Sequence, residues 1–154
     1  MTSAKIPTPE SVLGYRMGTA RRLPDWGEIV NYFETLAAAS DRVALERLGE
    51  STDGRPYIAV TVSSPENLAR RDELRSMLER LHDPRDLPAE EAARLVEDGR
   101  VTAFLLCTQH SNEIGAALMT LELAAELASK DDPETGEILD NVVTVMIPTH
   151  NPDG

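Results

Sequence analysis

The stretch Val101-Thr102-Ala103-Phe104-Leu105-Leu106-Cys107-Thr108-Gln109-His110-Ser111-Asn112-Glu113 decides how the chain reads. Phe104 to Cys107 is apolar on both alternating faces, the pattern of a central strand covered on both sides. Thr108 to Glu113 is polar and sets an imidazole and a carboxylate three residues apart. Glu113 to Ser129 is mostly apolar and reads as a helix, and Val142 to Ile147 repeats the apolar strand pattern. Strand, helix and strand within about fifty residues predict a βαβ unit with parallel strands and a right-handed crossover. The C-terminal ends of parallel strands share one sheet edge, where open α/β folds bind ligands. His110 follows the first strand, and His150, Asn151 and Asp153 follow the second. Topology alone therefore collects the polar chemistry at one edge.

Upstream, residues 1–24 carry scattered prolines and no clear period, which predicts an irregular arm. Asp25 and Glu28 form a capping-box pattern, and Trp26, Ile29, Val30, Phe33 and Leu36 continue it at helical spacing. The spacing predicts a helix from Trp26 to Ala39. Val43 to Glu50 and Arg55 to Ser63 alternate around the turn former Asp53-Gly54, so they predict an antiparallel hairpin at the side of the sheet. Ser64-Pro65-Glu66 opens a helix whose apolar stripe is Leu74, Met77, Leu78 and Leu81. Asp83 to Pro88 breaks it, and Ala89 to Asp98 forms a second helix closed by Gly99.

The 154 residues suffice for one domain with a core. A net charge of −12 and a pI near 4.6 argue against nucleic acid and anionic membranes as partners. Cys107 is the sole cysteine, so no intrachain disulfide forms. Met1 to Glu10 lacks the apolar core of a signal peptide. The default compartment is therefore cytoplasmic, with export open if the start is misassigned.

Helical phase singles out Glu113. At 100° per residue it lies about 180° from Glu122 and about 140° from Glu126, off the solvated stripe those two mark. A carboxylate facing the sheet must be solvated, paired or bound to metal. A histidine in the loop and a glutamate in the first helical turn can converge on one zinc ion, which takes nitrogen and oxygen donors at about 2.0–2.2 Å. The same residues also suit a structural role: an acid in a first turn is favoured by the helix dipole, and Ser111 or Asn112 can cap the helix. His82 ends a charged helix and reads as solvated. His150 lies on the correct edge and is a conceivable third ligand.

Four stretches together resemble the zinc carboxypeptidase family, which includes the digestive carboxypeptidases A and B. Gly49-Glu50-Ser51-Thr52-Asp53-Gly54-Arg55-Pro56 resembles its G-x-S-x-x-G-R-P turn. Ser63-Ser64-Pro65-Glu66-Asn67 is similar to a segment of bacterial members. His110-Ser111-Asn112-Glu113 resembles its H-x-x-E zinc motif, and Pro148 to Gly154 ends in N-P-D-G like the family's own stretch. Their order and spacing agree, over about residues 40–154.

The resemblance implies an α/β fold: a three-layer α/β/α sandwich with a mixed, partly parallel sheet. Residues 25–154 would be the N-terminal part of a catalytic domain, behind the arm of residues 1–24. It implies a Zn2+ cofactor held by His110 and Glu113, peptide or protein C-termini as substrate, and hydrolysis of the C-terminal peptide bond by zinc-activated water. Asn112, His150, Asn151 and Asp153 are then residues at the site's edge. Asn112 stands where the digestive enzymes carry arginine. In the family the third zinc ligand, the carboxylate-binding arginines and the glutamate base all come later. The chain is therefore expected to be a fragment, truncated after a central strand and inactive alone. Two other functions fit the same residues: a zinc amide deacylase of the aspartoacylase type, and a metal-free α/β interaction domain.

Overall fold

The computed structural model describes residues 5–154; the first four residues of the arm lie outside the described residues. The fold is α/β, built on one mixed sheet of four strands in the order β1-β2-β4-β3. β1 (Val43–Glu50) and β2 (Pro56–Val62) form the antiparallel hairpin, with a register shift between Arg47 and Gly49. Gly49 takes φ 154° there, a conformation open to a residue without Cβ. β2 pairs antiparallel with β4 (Val142–Ile147), and β4 pairs parallel with β3 (Val101–Leu106).

Register assigns the two faces. Val43, Ile58, Val60, Val62 and Met146 point to one side and join the core with α2 (Trp26–Ala39) and α6 (Ile114–Ser129). From these helices Tyr32, Phe33, Leu36, Leu121 and Ala124 are fully buried. α2 forms because Asp25 and Glu28 make the reciprocal capping box, each bond at 2.8 Å. The other face carries Glu46, Thr61, Val145, Phe104 and Leu106 by the same alternation. α4 (Arg71–His82) reaches it beside β1, where Arg71 pairs with Glu46 at 2.7 Å.

Several expectations are corrected. β3 is an edge strand among the described residues, not a central one: it pairs with β4 alone, and Phe104 and Leu106 are 58% and 61% exposed. An apolar run cannot say which of its faces is covered, since only neighbouring elements decide that. The arm is not wholly irregular. Thr8 caps and Pro9 opens a short helix, α1 (Pro9–Leu13), closed by Gly14 at φ 79°. The helix predicted from Ser64 is two: α3 (Pro65–Ala69) and α4, parted at Arg70, whose φ −110° and ψ 21° leave the helical region. α5 (Ala89–Asp98) follows as expected, up to Gly99. The crossover holds a further helix, α7 (Pro133–Asn141), which Asp132 caps through the Thr135 N–H at 3.0 Å. The Asp-Pro pair was its sequence signal.

Burial differs sharply between the two faces, and so should the cost of truncating them. Leu121→Ala is expected to destabilise by roughly 2–5 kcal/mol, and Leu106→Ala by about 1 kcal/mol or less. Urea denaturation of both variants checks this. Equal losses would mean that the Leu106 face is covered in solution.

Candidate metal centre

β3 and β4 run parallel, so both chains leave the sheet at the same edge. The exits are tied together. The Cys107 N–H donates to the Ile147 carbonyl at 2.9 Å, and the His150 N–H donates to the carbonyls of Cys107 and Thr108 at 3.1 and 3.3 Å. The Thr149 hydroxyl also donates to the Thr108 carbonyl, at 3.2 Å. Thr108 itself has φ 47°. A β-branched residue seldom enters the left-handed region, and such outliers cluster where the surrounding structure holds a functional turn. Its hydroxyl reaches the Glu113 carbonyl at 3.3 Å and closes the turn.

That turn brings His110 and Glu113 together. The imidazole Nδ1 lies 3.0 Å from Glu113 Oε1, and the His110 N–H donates to Oε2 at 3.1 Å. The His110 ring and backbone bonds hold the Glu113 carboxyl below the usual carboxylate range. Glu113 is the residue before α6, at φ −88° and ψ 48°, and its side chain is 52% exposed. Helical phase predicts a side chain directed towards the sheet, and the structure corrects this: Glu113 faces solvent, because the helix begins only at Ile114. Solvent and the His110 bonds satisfy the carboxylate instead.

Two donors on one tetrahedral zinc stand about 3.3 Å apart, from bond lengths near 2.0–2.1 Å. The observed 3.0 Å spacing is close to this, and nitrogen with carboxylate oxygen is a zinc-type donor pair. His110 and Glu113 therefore fit as part of such a site. No third ligand joins them: among the described residues no group of three His, Cys, Asp or Glu is arranged to hold a metal ion.

His150 is accounted for elsewhere. Its Nδ1 lies 3.1 Å from the Tyr57 hydroxyl, and the two rings meet edge to face at 6.1 Å. Asn112 is an exposed loop residue. The Asn151 N–H donates to the Thr149 hydroxyl at 3.1 Å, and its carbonyl accepts from the Gly154 N–H at 3.2 Å. Asp153 points to the hairpin turn, where its Oδ1 accepts from the Ser51 hydroxyl at 2.5 Å. Sequence reasoning did not place Ser51, Arg55 and Tyr57 at this edge. The G-x-S-x-x-G-R-P motif was the signal that could have found the first two.

A family model described as zinc carboxypeptidase matches residues 29–154. Among solved structures, the chain is similar to a protein assigned as carboxypeptidase A from Shewanella denitrificans OS-217. The TM-score is 0.57 at 20% identity, covering 84% of this chain and 26% of that one. It is also similar to carboxypeptidase A from Helicoverpa armigera, with a TM-score of 0.57 at 16% identity, covering 95% of this chain and 31% of that one. At such identities the likeness shows the fold alone. The chain thus spans between a quarter and a third of the length of those two structures. No curated relative matches it.

Cys107, 6% exposed, sits where β3 enters the turn, and burial pushes its thiol pKa up. Thiolate is the reactive form, so iodoacetamide should alkylate the native chain at least about tenfold more slowly than the unfolded chain. Mass spectrometry of timed samples measures this. Equal rates would mean that the exit turn is open.

Proposed function

The chain belongs to the zinc carboxypeptidase family, and on that premise we propose that it carries part of the active site of a zinc-dependent metallocarboxypeptidase. The substrates are peptides or proteins, cut at the C-terminal peptide bond. The observation that carries the reading is the His110–Glu113 pair, with its donor atoms 3.0 Å apart at the shared exit of two parallel strands. Both residues lie inside the family match. In this reading His110 and Glu113 hold Zn2+.

The zinc ion, when bound, polarises the scissile carbonyl and makes a nucleophile of water near neutral pH. This chain's residues supply the preorganisation. The His110 N–H holds one oxygen of Glu113, which keeps the other turned towards the imidazole. The same bonds favour the ionised form of Glu113, the form that binds a cation. Three protein ligands are the usual catalytic set, and the described residues bring two together. Peptide hydrolysis is therefore proposed for the whole enzyme rather than for these 154 residues.

Calorimetric titration of the 154-residue chain with Zn2+ is expected to show weak binding, with Kd on the order of 10 μM or above, because two ligands are available. His110→Ala should abolish it. The same sample should not cleave peptides with free C-termini. Rapid turnover would overturn the division of the site proposed here. An unchanged titration in His110→Ala would remove that residue as a ligand. A full absence of binding, with no change in melting temperature on adding zinc or chelator, would favour a metal-free role for the pair.

A further inference from the structure

Asp153 stands beyond the end of β4, yet its carboxylate is spent on the β1–β2 turn, about a hundred residues earlier in the chain. Oδ1 accepts from the Ser51 hydroxyl at 2.5 Å, and Oδ2 accepts from the Asp53 N–H at 3.2 Å. The Ser51 oxygen also accepts from the Arg55 N–H at 3.0 Å. The Arg55 guanidinium returns across the gap and donates to the Pro152 carbonyl at 2.5 Å. Pro152 is buried, while Ser51 and Asp153 are half-buried. The turn has its own closure, from the Ser51 N–H to the Arg55 carbonyl at 2.8 Å. It therefore offers a rigid frame, and the loop after β4 is fastened to it.

The other end of that loop holds the exit of β3. Thr149 and His150 bond the carbonyls of Cys107 and Thr108, and Thr108 bonds the Glu113 carbonyl. The last paired residues of the sheet are Leu106 and Ile147, and past the Cys107 bond to Ile147 the exits are tied to each other by these loop bonds. Hydrogen bonds thus fasten Asp153 to Ser51 at one end of the loop and His150 to Thr108, Thr108 to Glu113 and Glu113 to His110 at the other, and three residues of chain, from His150 to Asp153, join the two ends.

We propose that Asp153 is a positioning residue. Its carboxylate clamps the loop after β4 to the hairpin turn, and that loop sets the Thr108 turn and hence the His110–Glu113 pair. The inference gives Asp153 a part in the proposed site, and so rests on that reading for its functional meaning. The mechanical claim stands on the bonds alone. A carboxylate taking two donors makes hydrogen bonds stronger than neutral ones. Without it, the Ser51 hydroxyl and the Asp53 N–H turn to water, and Arg55 is the remaining tie between the loop and the hairpin turn.

Asp153→Ala tests this in the full 154-residue chain, by NMR without added metal. The expected result is faster amide exchange at Cys107 and His150, by about tenfold, the scale of one charge-assisted hydrogen bond. The His110 ring nitrogen signals should also move towards those of a free imidazole, while β1 and β2 amides keep their protection. Ser51→Ala should produce the same changes more weakly, and it serves if Asp153→Ala does not fold. Ser63→Ala is the control: it removes bonds to Leu139 and Val142 at the opposite end of the sheet. It should lower the melting temperature and leave the His110 signals unchanged. The proposal is overturned if the changes in Asp153→Ala stop at residues 51–55 and 152–154, or if Ser63→Ala moves His110 equally. A wild-type chain that binds no zinc would sink the proposed function and leave this result readable.

Discussion

The parallel pairing of β3 with β4 is the constraint on which the site depends. Two antiparallel neighbours would send His110 and His150 to opposite edges of the sheet. Parallel pairing from Val101–Val142 to Leu106–Ile147 sends both exits to one edge. It also requires a long crossover, because parallel strands cannot be joined by a tight turn. α6 and α7 supply that crossover. α6 contributes Leu121, Ala124 and Ala125 to the core, so the element that makes parallel pairing possible also covers one face of the sheet.

The core is lopsided as a result. α2 and α6 bury Val60, Val62 and Met146 to nearly nothing. Over the opposite face α4 approaches β1, and Phe104 and Leu106 on β3 stay mostly in solvent. The edge of β3 carries no charge or proline, the devices that usually protect an open strand. Elsewhere polar groups are well satisfied. The buried Asn67 amide donates to Ser63, Leu139 and Asp140, and locks the ends of β2 and α7 together. No buried side-chain polar atom among the described residues lacks a partner.

The site is a pair of donors already in contact, in an exposed loop anchored by buried backbone. Thr108 and Thr149 are buried, whereas His110, Asn112 and Glu113 face solvent. The candidate site is thus anchored by buried residues and open at the pair itself.

Local chemistry was legible in the sequence. The capping box of α2, the Asp53-Gly54 hairpin, the parallel βαβ unit and the three-residue spacing of His110 and Glu113 each depend on residues near one another in the chain. α7 was legible too, in Asp132-Pro133, but lay hidden behind the longer apolar helix. Three features were decided only in the folded chain, because they join residues far apart in sequence. The first is that β3 pairs with β4 alone among the described residues, because pairing is set by which strands meet in the fold and not by the apolar run itself. The second is that Glu113 precedes its helix and turns to His110 and solvent, set by the Thr108 turn and its bonds. The third is that Asp153 faces Ser51, which no spacing rule could reveal, since the two meet only after β1, β2 and β4 have been aligned in one sheet.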